Sequence, residues 1–171
     1  MCNIKAAKND RGAEDEKNPG VRTVMKTSQI SILQIEDLID VYINTFNNSS
    51  WSESWETTDA EKRLTDIINT PGFIGLTAMD KNKIVGMVLG NIHRYSLQNH
   101  YYLQEMCVIP EYRNKGVGSF LVCELQNFLK KQDISKIYLI TERESLAENF
   151  YIKNGFYKSN NLQLLGKTIN S

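Results

Sequence analysis

The chain has 171 residues, of which 41% are hydrophobic and 23% charged, a mixture typical of one globular domain with an ordinary core. Its 20 basic and 20 acidic residues cancel, so neither a duplex nucleic acid partner nor a polybasic membrane anchor is predicted. The apolar runs are too short to span a bilayer, and the polar N-terminus has no apolar stretch typical of a secretory signal, which favours a cytoplasmic protein.

The pattern along the chain predicts a leader and a domain. Residues 1–26 are rich in charged and amide side chains and are predicted to be a flexible leader, and residues 27–171 are predicted to form one domain. Apolar spacing and turn residues within the domain predict strands over 29–33, 73–79, 84–92, 101–109, 137–140, 156–158 and 162–167, and helices over 35–46, 59–69, 117–131 and 145–154. Asp59 is the expected N-cap of the second helix. This order predicts an α/β domain with a mixed sheet.

The most informative segment is the basic turn, residues 113–119, which reads Arg-Asn-Lys-Gly-Val-Gly-Ser between a predicted strand and a long helix. Its glycines permit positive φ and a close approach of ligand to backbone. The helix that follows offers unpaired amides, and its first turn lacks an acidic residue. Together with Arg113 and Lys115, this pattern predicts an anion site. The alternative is a solvated basic turn with a glycine cap. The Walker pattern is absent, and the Rossmann pattern fails because Leu121 replaces its third glycine.

Two segments resemble signatures of the GNAT superfamily of N-acetyltransferases. Residues 105–118, Glu-Met-Cys-Val-Ile-Pro-Glu-Tyr-Arg-Asn-Lys-Gly-Val-Gly, resemble its acetyl-coenzyme A motif, in which a strand ending V-x-P-x-x-R precedes x-x-G-x-G/A and a helix. Residues 147–156, Ala-Glu-Asn-Phe-Tyr-Ile-Lys-Asn-Gly-Phe, resemble its A-x-x-F-Y-x-K-x-G-F signature. The resemblance implies a mostly antiparallel sheet of about six or seven strands with about four helices. It also implies that the parallel strands over 101–109 and 137–140 splay apart around the thioester.

The resemblance further implies how acetyl-coenzyme A is held. The pantetheine arm would pair with one strand as an added neighbour, and the amides of the basic turn would hold the diphosphate. Many relatives carry Asn where this chain has Glu144, and Asn149 is the candidate substitute for that contact. The candidate cofactor-binding residues are Met106, Cys107, Val108, Arg113, Asn114, Lys115, Gly116, Val117, Gly118, Ser119 and Asn149.

Direct acetyl transfer needs a proton acceptor for the amine and a proton donor for the leaving thiolate. Glu105 is the candidate base. Strand alternation groups it with the apolar residues Tyr101, Leu103, Cys107 and Ile109, and apolar neighbours tend to raise the pKa of a carboxylate. The alternative is a strand carboxylate paired with Lys or Arg. Tyr151 is the candidate acid on the family motif, and its alternative is a core aromatic residue with a satisfied hydroxyl.

The segment between the first two helices is the candidate acceptor site. It carries Trp51, Glu53, Trp55 and Glu56, a combination of rings and acids that suits a cationic amine. The alternative is that the tryptophans anchor the core and the acids open a helix. The predicted function is transfer of acetyl from acetyl-coenzyme A to a primary amine in a ternary complex (EC 2.3.1.-), with an aminoglycoside-like or polyamine-like acceptor.

Several alternatives to this function stay open on the sequence. They are acetylation of protein N-termini or lysines, a coenzyme A-binding sensor without turnover, and a nucleotide-binding module that uses the same glycine turn. The resemblance also favours a homodimer. No metal is predicted, because the three cysteines and two histidines do not have the spacing of a metal site.

Overall fold

The computed structural model describes residues 25–48 and 54–169. The predicted leader lies outside the described residues except for its last two positions. The chain separates into two compact units, one ending at Leu139 and one beginning at Ile140, which are described separately. Within the described ranges, no helix is both long and apolar enough to cross a bilayer.

The first unit contains a five-stranded sheet with strands in chain order from edge to edge. The strands are β1 (Lys26–Gln29), β2 (Phe73–Asp80), β3 (Lys83–Arg94), β4 (Asn99–Val108) and β5 (Ile134–Tyr138). The first four pair antiparallel, and β4 with β5 is the one parallel pair in this sheet. Three helices belong to this unit: α1 (Ile35–Phe46), α2 (Thr57–Ile68) and α3 (Val117–Lys130). The predicted mixed α/β sheet is confirmed.

Two predicted starts are wrong, and local hydrogen bonding explains both. The strand expected over residues 29–33 ends at Gln29, because Ser31 and Gln34 form a reciprocal capping box that closes a 3-10 turn. Helix α2 begins at Thr57, two positions before the predicted start, because the Glu56 carbonyl accepts from the amides of Asp59 and Ala60 and makes Glu56 the N-cap residue. Asp59 is therefore in the first turn, where a carboxylate is still favourable next to the helix dipole.

The sheet is covered on both faces, which explains why the residues of β3 from Ile84 to Asn91 are buried without alternation. Helix α3 packs on the face of Gly86, where an added Cβ would lie 3.2 Å from Leu121 Cδ1. Helices α1 and α2 contact β3 from the other face, on which Leu89 lies. The glycine at position 86 thus lets α3 approach the sheet closely.

The second unit contains α4 (Leu146–Lys153), which begins one residue after and ends one residue before the predicted helix. The Ser145 hydroxyl accepts from the Glu148 amide at 3.1 Å and caps the helix, and Gly155 follows its end with φ of +86°. The strands predicted over 156–158 and 162–167 are wrong, because this segment has no strand. The described sheet therefore has five strands instead of six or seven. A strand needs a hydrogen-bonded neighbour, and the leucines of this segment are exposed.

Candidate active site

Strands β4 and β5 separate part of the way along their length. Their pairing begins at Asn99 and ends where Tyr102 pairs with Tyr138. Strand β4 continues to Val108, so its edge beyond Tyr102 has no partner in the described sheet. The parallel pair is therefore splayed at its carboxyl end, as the family resemblance implied, and leaves a free edge of backbone amides and carbonyls.

The pairing with β3 decides which groups face that free edge. The Ile109 amide donates to the Val85 carbonyl at 3.1 Å, so this residue faces β3. In an antiparallel pair, successive residues direct their amide and carbonyl alternately toward and away from one neighbour. Cys107 therefore faces β3 with its main chain, and Met106 and Val108 direct theirs to the free edge. Met106 therefore offers its amide and carbonyl at the free edge. Val108 offers its amide there, but its carbonyl already accepts from Arg113 Nε at 3.2 Å.

A bulge interrupts the pairing of β3 with β4. Leu89 pairs with Glu105, but the next residue, Gly90, pairs with Leu103, so Gln104 is an extra residue in β4. Glycine is needed opposite the bulge, because a Cβ on Gly90 would clash with main chain of β4. One extra residue inverts the alternation of side chains that follow it.

The bulge changes the surroundings predicted for Glu105. Paired residues project to the same face, so Glu105 lies on the face of Leu89, which helices α1 and α2 cover. The predicted grouping with Cys107 is confirmed, but the grouping with Tyr101 and Leu103 is wrong, because those residues precede the bulge and project to the α3 face.

The carboxylate of Glu105 is bound by Arg63 of α2. The arginine donates from Nε at 3.0 Å and from Nη2 at 2.7 Å to the same oxygen. The glutamate side chain is 12% exposed and that of Arg63 is 43% exposed, so the pair lies at the margin of the core. Burial lowers the pKa of the Arg63 guanidinium. The hydrogen bond to Glu105 and the charge of that carboxylate raise this pKa by more than burial lowers it, so the net shift is upward. Arg63 therefore stays charged and favours an ionised Glu105.

The closed end of the splayed gap is filled by rings on the same face. Tyr102 and Tyr138 stack with centroids 5.0 Å apart, and His93 lies 5.5 Å from the first and 5.7 Å from the second. The Tyr138 hydroxyl is hydrogen bonded to Nδ1 of His93, and burial is the largest cause that raises the pKa of Tyr138, to about 12. These rings lie where the pairing of β4 with β5 ends, and no sequence motif indicated them.

The positive φ that the glycines of the basic turn were predicted to permit occurs at Gly116 but not at Gly118, which lies within α3. Asn114 has φ of +58° and Gly116 has φ of +82°, and α3 begins directly after this glycine. No side chain caps the helix, and its first turn contains no acidic residue. The amides of Val117, Gly118 and Ser119 have no acceptor within the helix, because the first turn lacks preceding carbonyls. The turn is therefore an arrangement suited to an external anion.

Arg113 has a structural task in this turn that the sequence did not indicate. Its Nη2 donates to the Thr45 carbonyl at 2.8 Å, and its Nε donates to the Val108 carbonyl at 3.2 Å. These bonds tie the turn to the end of α1 and to the end of β4. Lys115, by contrast, is exposed and holds its ammonium 5.4 Å from the centroid of the Tyr112 ring.

The other predicted residues occupy separate parts of the chain. Tyr151 lies on α4 with its ring 5.2 Å from both Phe150 and Phe156, and Asn149 is exposed on the same helix. Both belong to the second unit, whereas Glu105 and the basic turn belong to the first.

The predicted acceptor residues are only partly within the described ranges. Trp51 and Glu53 lie outside the described residues. The Trp55 ring meets Tyr42 edge-on at 5.1 Å, and its amide donates to the Asn47 side chain at 2.8 Å. Trp55 thus anchors the start of α2 to α1. Glu56 is exposed.

Comparison with known proteins identifies the class to which this fold and site belong. The model of the Acetyltransferase (GNAT) family matches residues 37–156. The chain belongs to this family and is an acyltransferase. No group of three or more potential metal ligands occurs among the residues described.

Individual relatives agree with this assignment. The chain is 28% identical over 141 residues to a spermidine N(1)-acetyltransferase of Thermoplasma acidophilum. This alignment covers 75% of this chain and 85% of the relative. It is similar in fold to a GNAT family acetyltransferase of Staphylococcus aureus, at 20% identity and a TM-score of 0.66, covering 84% of this chain and 98% of the other. The structure of the aminoglycoside N-acetyltransferase AAC(6')-Iy in complex with CoA is similar in fold, at 15% identity and a TM-score of 0.67. The match covers 85% of this chain and 96% of that structure.

Proposed function

We propose that this chain transfers the acetyl group of acetyl-coenzyme A to a primary amine by direct attack within a ternary complex. The observation that carries the proposal is the free edge of β4 next to the uncapped start of α3. Main-chain groups of Met106 and Val108 would pair with the amides of the pantetheine arm. Amides from Asn114 to Ser119 would hold the diphosphate, where the helix dipole favours negative charge.

The residues of the site fit this co-substrate in charge and in shape. Gly116 adopts the αL conformation at the N-cap of α3 and has no side chain there to obstruct a ligand. The missing acid in the first helical turn avoids repulsion of a diphosphate. Acetyl-coenzyme A supplies the activated acyl group, and the chain binds it, orients it and moves protons.

A proton must leave the acceptor nitrogen before attack. In the proposed reaction, Glu105 accepts one proton from the acceptor ammonium, directly or through water, and the free lone pair attacks the thioester carbonyl. The carbon–sulfur bond breaks, and Tyr151 protonates the departing thiolate. The second proton of the nitrogen then restores the tyrosine hydroxyl, so the products are an N-acetyl amine and the free thiol. Arg63 keeps Glu105 oriented and ionised before the proton arrives.

Direct transfer is favoured over an acetylated cysteine on the same strand. Cys107 is 3% exposed, and burial is the main reason that its pKa is raised, to about 12. The thiolate is the nucleophilic form of cysteine, and it is scarce here at neutral pH. Cys107 is therefore a poor acyl carrier, although it lies on the proposed pantetheine strand. Initial rates with both substrates varied should give intersecting lines, and parallel lines would contradict the ternary complex.

The proposed acceptor is a small cationic amine of polyamine or aminoglycoside type. Glu56 and Asp59 place exposed carboxylates at the start of α2, where they attract a cation. Trp51 and Glu53 complete the proposed acceptor segment from outside the described residues. The relative from Thermoplasma acidophilum is named for spermidine acetylation, which supports the same class.

The exposed apolar side chains of the second unit support the proposal of a homodimer. Leu162, Leu164 and Leu165 are each at least 70% exposed in a single chain. Packing against a second copy would remove them from water. Light scattering during gel filtration tests this, with a monomer mass at micromolar concentration as the contradicting result.

The activity is tested by thiol release from acetyl-coenzyme A with a panel of amines. The panel contains spermidine, an aminoglycoside, a lysine peptide and a peptide with a free N-terminus. Turnover with the first two, with unchanged background for the peptides, is the expected result. Peptide acetylation would redirect the acceptor class, and coenzyme binding without turnover by any amine would indicate a sensor.

A further inference from the structure

The bulge in β4 brings Tyr102 and Glu105 to the same face of the sheet. They are three residues apart, so in a regular strand they would project to opposite faces. Because Gln104 is an extra residue, they pair with Asn91 and Leu89 of β3, which are only two residues apart. Two residues of a strand span about 7 Å. An aromatic ring and the proposed base therefore lie about one such step apart on the face opposite α3.

The ring of Tyr102 belongs to a stacked pair that a ligand can reach. It lies against the ring of Tyr138 at an interplanar angle of 19°, and the hydrogen bond between Tyr138 and His93 restrains the second ring. All three side chains are half-buried. Among the described helices of the first unit, only α3 makes extensive contact with β5, and α3 covers the other face. This tyrosine pair, Tyr102 and Tyr138, thus has an open side within the described part of that unit.

Amide side chains lie between the proposed base and the tyrosine pair. Nε2 of Gln104 donates to Oδ1 of Asn91 at 2.7 Å, and Asn91 is 6% exposed. Side chains on a covered sheet face are mostly apolar, because a buried polar group costs free energy unless it is hydrogen bonded. The carboxylate of Glu105, these two amides and the tyrosine pair form a polar strip on this face.

We propose that the polar strip binds an acceptor with two ammonium groups, the reacting nitrogen at Glu105 and the second ammonium against the tyrosine pair. This inference rests on the proposed function and selects a polyamine from the two proposed acceptor classes. A four-carbon spacer holds two nitrogens roughly 6 Å apart at ordinary bond lengths, which suits the strip. The faces of tyrosine rings attract a cation within about 6 Å of the centroid. A methylene spacer needs no hydrogen-bond partner, whereas each buried hydroxyl of a sugar does.

Two cations flank the polar strip and affect an ammonium there differently. Arg63 is paired with Glu105 at 2.7 Å, so its charge is balanced. Lys136 pairs with His100 in the register of β4 with β5, which puts it on the same face, two residues before Tyr138. Its charge repels an ammonium at the tyrosine pair. Loss of the Tyr102 ring and loss of the Lys136 charge should therefore change the use of a diamine in opposite directions.

Thiol release with putrescine and with n-butylamine tests the inference. The two amines have the same four-carbon chain, and only putrescine has a second ammonium. After correction for its two equivalent nitrogens, kcat/KM of the wild-type chain should be about tenfold higher for putrescine, the effect of one cation–π contact. Tyr102→Leu should bring this ratio close to one by lowering the putrescine value alone, and Tyr102→Phe, which keeps the ring, should retain it. Lys136→Gln should raise the ratio about twofold.

The matched control is Tyr157→Leu, which removes a ring of the second unit that is 73% exposed. It should leave the ratio unchanged. A wild-type ratio near one, equal losses for both amines in Tyr102→Leu, or a lower ratio in Lys136→Gln would overturn the inference and leave acetyl transfer in place. Absence of thiol release with any amine would overturn the proposed function as well, so the two failures are distinguishable.

Discussion

Replacement of Glu105 by Gln removes the charge of the proposed base and keeps its size. The pair with Arg63 has a nitrogen–oxygen distance of 2.7 Å and is 12% exposed on the acid side and 43% on the arginine side. Exposed pairs contribute up to about 1 kcal/mol, and broken buried pairs cost about 3–5 kcal/mol. We expect an intermediate loss of about 1–2 kcal/mol, which lowers the melting temperature of a chain of this size by about 2–8 °C.

The loss of activity should be larger than the loss of stability. A positioned general base contributes about 100-fold to 10,000-fold, so kcat of Glu105→Gln should fall at least about 100-fold. The fall of rate on the acidic side of the pH profile should also disappear, because the group that must be deprotonated is gone. Thiol release across a pH series with saturating amine measures both effects.

Arg63→Gln is the matched control for that substitution. It breaks the same ion pair and should cost a similar amount of stability, but it leaves a carboxylate able to accept a proton. We expect kcat to fall by less than about tenfold, with the acidic limb moved to higher pH, because the ionised form has lost its cation. Equal rate losses in the two variants, or an acidic limb that persists in Glu105→Gln, would refute the assignment of Glu105 as the base.

Three further substitutions or reactions test the surrounding structure. Gly90→Ala should destabilise the fold by about 3 kcal/mol or more in urea unfolding, because its Cβ would clash with the Tyr102 carbonyl at the bulge; an unchanged midpoint would contradict the bulge. Arg113→Gln should cost about 1–3 kcal/mol and raise KM for acetyl-coenzyme A, because the basic turn loses its hydrogen bonds to the Thr45 and Val108 carbonyls; an unaltered KM would remove this role. Cys107 should resist iodoacetamide at pH 8 and react in urea, because its pKa of about 12 leaves about one thiolate in ten thousand; rapid native labelling, read by peptide mass spectrometry, would contradict its burial.

Local patterns in the sequence predicted most of the helices and the basic turn. The apolar spacing of α1 gave the same ends that the structure has, Ile35 and Phe46. Two glycines and the absence of acids predicted the uncapped start of α3. These features depend on neighbours close in the chain, and short-range reasoning is sufficient for them.

Features that depend on distant residues were missed. The bulge at Gln104 arises from pairing with β3, and strict alternation therefore grouped Glu105 with Tyr101 and Leu103, which project to the opposite face of the sheet. The partner of Glu105 is 42 positions away in α2, and nothing local distinguishes Arg63 from other helical cations. The pattern for strands near the C-terminus was present, but the described sheet contains no neighbour for them.

The most direct test of the central claim is an amide NMR titration of the folded chain with acetyl-coenzyme A. We expect saturable shifts concentrated in the amides of Gly116, Gly118 and Ser119 and in those of Met106 and Val108. These two groups border the start of α3 and the free edge of β4. Saturable binding with shifts confined to other parts of the chain, or no binding by folded protein, would contradict it.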